Sequence, residues 1–258
     1  MLTQALVALL AAAVVMGSTA AVSRRRDRVA DVDVAWGLSF VAIAVVLALV
    51  WPDLHSWLLA VLVVVWGGRL ATHIARRARG HGEDPRYEKM LGGPGWHAGA
   101  AKVLLRVFGT QALVSWVISF PLVVAAAYDV RWWPLVWVGV VIWAVGLYFE
   151  VVGDAQLEAY KAKPRESRPR ILDTGLWGWT RHPNYFGDAC VWWGLWVAGA
   201  LSLGWVPGLA TIFAPAAMTF FIRNVTGAKL LEQTMSQREG WAAYAERVPL
   251  FFPRPPRR

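Results

Sequence analysis

The chain has a single cysteine, Cys190, which excludes an internal disulfide and any cluster of thiolate metal ligands. No lysine falls inside a long apolar run, which argues against a retinal-type Schiff base. Nucleotide signatures of soluble domains are missing too. No GxGxxG follows a strand, and GGPGWHAG at residues 92–99 lacks the strand-to-helix setting that would give its glycines meaning. There is no P-loop and no GxSxG elbow. Paired broken helices of the transporter kind are not apparent. Charge itself is scarce, at 17% of residues, and acidic charge scarcer still, with 17 Asp and Glu against 26 Lys and Arg.

Apolar residues fill the gap. The chain is 57% hydrophobic and carries 17 Trp among its 258 residues, a composition that belongs in a membrane. Apolar runs near the spanning length recur at 2–22, 34–51, 54–75, 108–128, 132–152, 185–203 and 205–222. The expected fold is therefore an all-α polytopic membrane bundle of about seven transmembrane helices. Gly199, Gly204, Pro207 and Gly208 crowd the last junction, where a re-entrant hairpin fits the same letters. No soluble domain or repeat stands apart, so residues 1–258 read as a single membrane domain.

Cationic residues accumulate on the cytoplasmic side of membrane proteins. With the N-terminus outside, loops 23–33, 76–107 and 153–184 and the tail after 222 all lie inside and hold nearly every Lys and Arg, while the opposite loops hold only Arg131. The net charge of +9 is then a one-sided basic face, suited to anionic lipids and phosphorylated cofactors. It does not suit nucleic acid, since no basic segment stands clear of the bilayer. The first run places its charges after its apolar stretch, which reads as a retained span and not a cleaved signal. The tail combines cations with Met235, Trp241, Tyr244 and Val248 and reads as a C-terminal interfacial helix with a Pro-rich end.

Ionisable groups inside spans are functional suspects. Asp33, Arg69, His73, Glu150, Asp154 and Asp188 all lie toward the inner ends of their spans, as a cavity open to the cytoplasm would require. Asp33 is either a carboxylate favoured by the helix dipole or, lying deeper than Asp31, a proton donor or substrate anchor. Arg69 and His73 share a helical stripe, and GHGEDPRY, residues 80–87, reads as a loop with Pro85 as breaker. Glu150, Asp154 and Glu158 recur at i, i+4 and i+8, with Lys161 near the same face. No histidine accompanies them and no HExxH occurs, so no metal is expected.

The densest polar block is RHPNYFGD, residues 181–188, at the mouth of a tryptophan-rich run. Pro183 suits a first helical turn. Asn184 and Asp188 share one face, Gly187 permits close approach of another body, and a helix start attracts phosphate. Arg181, His182 and Tyr185 crowd the same point, and a ligand is expected to partner these groups. Glu232 and Glu239, seven apart in the tail, could close over it.

Together DVDVAWGL, WGGRLATHIARRARGHGEDPRY, EVVGDAQL, DTGLWGWTRHPNYFGDACVWWGL and LLEQTMSQREGWAAYAERVPLFFPRPP resemble the bacterial branch of the steroid 5-alpha reductase family, over about residues 31–255. The resemblance implies NADPH held in a cavity open to the cytoplasm of a bacterial inner membrane. It implies hydride transfer to an activated C=C bond of a lipid or steroid-like substrate. Asn184 and Asp188 match residues near the nicotinamide, and Asp154 matches an aspartate that reaches the cofactor. Lys161 stands where steroid reductases tend to have arginine, and Glu150 replaces an Asn. Arg181, His182, Tyr185 and Glu232 complete the implied cofactor set. Trp66, three before Arg69, takes the place of a substrate-binding tyrosine, and Asp33 substitutes for the proton donor, so Asp33, Trp66 and Arg69 form the implied catalytic set. Implied partners are a lipophilic small molecule and membrane lipids, with no protein partner. The RHPNY block and tail also resemble isoprenylcysteine carboxyl methyltransferases, which would make the cofactor S-adenosylmethionine.

Overall fold

The computed structural model describes residues 1–225 and 227–256; Thr226, Arg257 and Arg258 lie outside the described residues. The described residues form helices and turns without a strand. In chain order the helices are α1 (Leu2–Arg26), α2 (Asp31–Val50), α3 (Leu54–Arg77), α4 (Pro85–Leu91), α5 (Ala100–Ile118), α6 (Phe120–Ala125), α7 (Trp133–Ala162), α8 (Pro183–Gly199), α9 (Trp205–Val225), α10 (Ala228–Met235) and α11 (Trp241–Arg247). Seven of them, α1, α2, α3, α5, α7, α8 and α9, are long and apolar enough to cross a membrane.

Three boundaries differ from the sequence reading, each for a local reason. The fourth span begins at Ala100 and ends at Ile118, where 108–128 was expected. Pro121 has no N–H to give and suits the first turn of a new helix, so the chain breaks at Ser119 and restarts as α6. At the other end the Lys102 ammonium bonds the Leu91 carbonyl, which lets a cation join the span. Pro85 is likewise a start and not a breaker. The Asp84 carboxylate accepts from the Arg86 N–H at 2.8 Å and caps α4. Finally, α7 continues ten residues beyond the expected 152 to Ala162, giving about 45 Å of helix, longer than the hydrocarbon layer.

The helices group into two compact units. No linker marks them, because the boundaries fall beside tight turns and inside α9. Unit 1 comprises Met1–Arg131 and Leu203–Thr211; unit 2 comprises Trp132–Ser202 and Ile212–Arg258.

In unit 1, α2 and α3 meet backbone to backbone. A Cβ on Gly37 would lie 2.7 Å from the Gly67 carbonyl oxygen, and one on Gly67 would lie 2.8 Å from that of Gly37. Only glycine fits both positions, the packing by which apolar helices associate in lipid. Around this contact Phe40 packs edge-on between Trp36 and Trp66, at 5.0 and 5.8 Å between centroids.

The start of α2 is held from a distance. Glu83 accepts from the backbone N–H groups of Val29 and of Ala30, the latter at 2.9 Å, so a carboxylate from the loop before α4 pairs the two backbone donors just ahead of the helix and lies by its positive end. Glu83→Ala is expected to cost about 1–2 kcal/mol of stability. A lowered thermal midpoint of the detergent-solubilised protein would show it; an unchanged midpoint would remove this capping role.

In unit 2, Gly139, Gly146 and Gly153 repeat every seven residues along α7 and face α8. A Cβ on Gly146 would sit 2.5 Å from the Gly187 carbonyl, and one on Gly194 would sit 2.6 Å from the Gly139 carbonyl. The body that Gly187 lets approach is therefore α7. This seam fixes the polar residues of the two helices against each other.

Candidate functional site

The polar corner of unit 2 grows from the first turn of α8. Pro183 occupies the start of that helix, and its ring lies beside Gly153, whose absent side chain leaves room for it. One turn along, Gly187 abuts the backbone and Cγ of Glu150. The seam thus brings α7 carboxylates next to the RHPNYFGD block. The Asn184 carboxamide donates to Asp154 Oδ1 at 3.3 Å. Glu150 and Asp154 are both buried. Asp188, one turn from Asn184, is half-buried. Glu158 and Lys161 follow on α7, with Lys161 exposed in the last turn. Among the described residues, no three His, Cys, Asp or Glu side chains converge as metal ligands would.

Arg181 and His182 take partners from the tail. Glu232, on α10, accepts from Arg181 Nε at 2.7 Å and from Nη2 at 3.2 Å, a two-pronged ion pair. The same carboxylate lies 3.2 Å from His182 Nε2. Arg181 Nη1 donates to the carbonyls of Ala245 at 2.7 Å and Val248 at 3.2 Å. Burial alone would raise the Glu232 carboxyl, but the His182 hydrogen bond and the Arg181 charge outweigh it and hold it below its ordinary value. His182 is buried, and its ring stacks on Tyr185 at 5.5 Å and 16°.

The backbone completes this attachment. Arg181 N–H bonds the Pro249 carbonyl at 2.9 Å, and Arg254 N–H bonds that of Trp179 at 2.9 Å. Thr180 Oγ1 donates to the Phe251 carbonyl at 2.9 Å. Phe149, Phe186 and Phe251 form an edge-to-face chain, and Tyr244 donates to the Trp177 carbonyl at 2.7 Å. Burial pushes the Tyr244 phenol up, keeping it a neutral donor. The tail is thus two short helices followed by an extended segment fastened to residues 179–181, more than the interfacial helix read from composition.

The expected catalytic residues lie in unit 1. Asp33, in the first turn of α2, accepts from the Tyr87 hydroxyl and from Arg86 Nη2 at 2.9 Å. Arg86 also grips Asp84, through Nε at 3.0 Å and Nη2 at 2.8 Å. Burial opposes ionisation of Asp84, yet the Arg86 hydrogen bonds hold its carboxyl below the usual range. Desolvation, followed by the Asp33 charge, pushes the Tyr87 phenol well up, so it keeps its proton. These two donors fix the orientation of the Asp33 carboxyl group. Trp66 is wholly buried against Phe40, and Arg69, three residues on, is half-buried.

Sequence reasoning missed Tyr87, Arg86 and Glu83 as partners, though GEDPRY was in view as a loop. It also missed Gln156, whose Oε1 accepts the Leu176 N–H at 2.9 Å. The signal there was Gly175, which has a positive φ of 60° and whose Cβ would collide with the Gln156 amide.

Compared with known protein families, residues 20–248 match the model described as a protein of unknown function (DUF1295). No curated protein and no solved structure matches the chain.

Proposed function

The chain belongs to the DUF1295 family, and because that description carries no activity we propose one from the site: an NADPH-dependent membrane reductase of an activated C=C bond in a lipid or steroid-like substrate. The observation that carries the reading is the Asn184–Asp154 hydrogen bond across the α7–α8 seam, beside the first turn of α8. Its residue types suit a dinucleotide. Asp154, Asp188 and Glu150 offer acceptors for ribose hydroxyls and a carboxamide, Asn184 offers both a donor and an acceptor, and the start of α8 favours a phosphate. Lys161, Arg181, His182, Tyr185 and Glu232 complete the set named by the resemblance. When bound, NADPH supplies the hydride, while the protein supplies orientation and electrostatics.

The remaining roles are those that the resemblance implies. Asp33 is assigned the acid that polarises a conjugated carbonyl, and Trp66 and Arg69 the substrate-facing positions of α3. The Tyr87 hydroxyl donates to Asp33 and orients its carboxyl group. A bacterial inner membrane with the cofactor face cytoplasmic is the placement favoured by the loop charges.

Glu232 supports a second reading. It joins the RHPNY block to the tail through Arg181 and His182, the two segments that isoprenylcysteine carboxyl methyltransferases also share with this chain. In that reading S-adenosylmethionine takes the place of NADPH.

One titration separates them. With 17 Trp in the chain, NADPH binding is expected to quench tryptophan emission and sensitise dihydronicotinamide fluorescence. Asn184→Ala and Asp188→Ala are each expected to raise the dissociation constant read from that signal by about tenfold, a loss of about 1.4 kcal/mol. Asp33→Asn should leave binding intact and abolish turnover; a fully active Asp33→Asn protein would remove the acid role. Binding of S-adenosylmethionine without NADPH would overturn the reductase in favour of the methyltransferase.

A further inference from the structure

The loop between α7 and α8 makes a second feature of unit 2 that the reading above does not use. A cavity of about 420 Å³ is lined by Arg165, Arg168, Arg170 and Arg238, together with Tyr160 and Glu239. Four arginines line it, three from one short loop and one from the turn after α10. The one lining carboxylate, Glu239, pairs with Arg170, so cations outnumber carboxylates in the lining. A cavity lined in this way presents positive potential to an anion.

The loop is shaped around the cavity. Tyr160 donates to the Pro169 carbonyl at 2.5 Å, and the N–H groups of Ser167 and Arg168 both reach the Pro164 carbonyl, at 3.1 and 3.2 Å. The Arg168 guanidinium lies over the Tyr160 ring at 5.3 Å and reaches the Lys161 carbonyl at 3.5 Å. Across the cavity, Arg238 N–H bonds the Met235 carbonyl at 3.0 Å and Trp241 N–H bonds that of Arg238 at 3.1 Å, which fixes the turn. Arginine, with its planar fork, is the residue type that grips phosphate oxygens two at a time, whereas lysine acts as a point charge.

We propose that the cavity formed by Arg165, Arg168, Arg170 and Arg238 is a binding site for a phosphate ester. The inference does not rest on the reductase reading. A nucleotide phosphate and the headgroup of an acidic phospholipid present the same chemistry, and both are within its scope.

The test uses full-length protein in detergent, titrated calorimetrically with inorganic pyrophosphate. Replacing Arg165, Arg168 and Arg238 together by Gln is expected to weaken binding by about tenfold or more. These side chains are exposed or half-buried, so the fold should persist. A charge-matched control replaces Arg24, Arg25 and Arg79, exposed residues of unit 1, and should change little. Failure of the wild type to bind pyrophosphate, or equal losses in variant and control, would overturn the site. Two further arms assign the source. Loss of a preference for NADPH over NADH in the triple variant points to a nucleotide, and loss of a preference for nanodiscs containing phosphatidylglycerol over phosphatidylcholine alone points to a lipid. Pyrophosphate binding that persists while NADPH binds nowhere would sink the reductase reading and leave this site standing.

Discussion

Replacing Gly187 by Leu is expected to prevent unit 2 from assembling. The Cβ alone would stand 2.5 Å from the Gly146 carbonyl oxygen and 2.8 Å from the Glu150 nitrogen, both backbone atoms that no rotamer change can move. The helices would have to separate along a seam where Gly139, Gly146, Gly153, Gly187 and Gly194 all approach the opposite helix. Overpacking of a well-filled core costs about 1–3 kcal/mol where side chains can yield, and more is expected here because backbone must move. Thermal unfolding and size-exclusion behaviour in detergent would report it. The matched control is Gly68→Leu on α3, where a Cβ meets nothing within 4 Å. A Gly187→Leu protein that unfolds at the wild-type temperature would show that the seam does not hold these helices together.

The seam also explains what could be read from the letters. Span number followed from run length, because backbone hydrogen bonding in a bilayer leaves few alternatives to a helix. The block at Arg181–Asp188 stood out because five polar side chains beside a tryptophan-rich run need partners. Their partners were not readable. Asp154 and Glu232 are separated from that block by dozens of residues, and only the helix crossing or the return of the tail brings them near. Gly139, Gly146 and Gly153 were visible as letters, but a spacing of seven signals a seam only when the facing helix is known. As letters, Pro85 reads as a breaker and the run 108–128 reads straight through Pro121, whereas proline ends one helix and begins another with equal ease, and the capping carboxylate of Asp84 or the break at Ser119 decides which.

Glu232→Ala is expected to release the tail. Arg181 would keep its charge in a largely buried place, its side chain only 11% exposed, with two carbonyls left to solvate it. Breaking a buried pair by removing one partner costs on the order of 3 kcal/mol. The loss should be local, since Arg181, His182, Ala245 and Val248 all belong to the same attachment. Limited proteolysis should therefore cut within α10 or α11 before the spans unfold. Acid should act in the same direction. The folded Glu232 carboxyl lies below its ordinary value of 4.5, so the unfolded chain binds a proton first and the attachment is at full strength above that pH. It weakens as the pH falls through the lower folded value. Wild-type protein should thus become protease-sensitive in the tail at acid pH, while the Glu232→Gln variant should already be sensitive at neutral pH and change little on acidification. A tail equally resistant in both proteins would mean that the backbone bonds from Arg181 and Arg254 hold it without the ion pair.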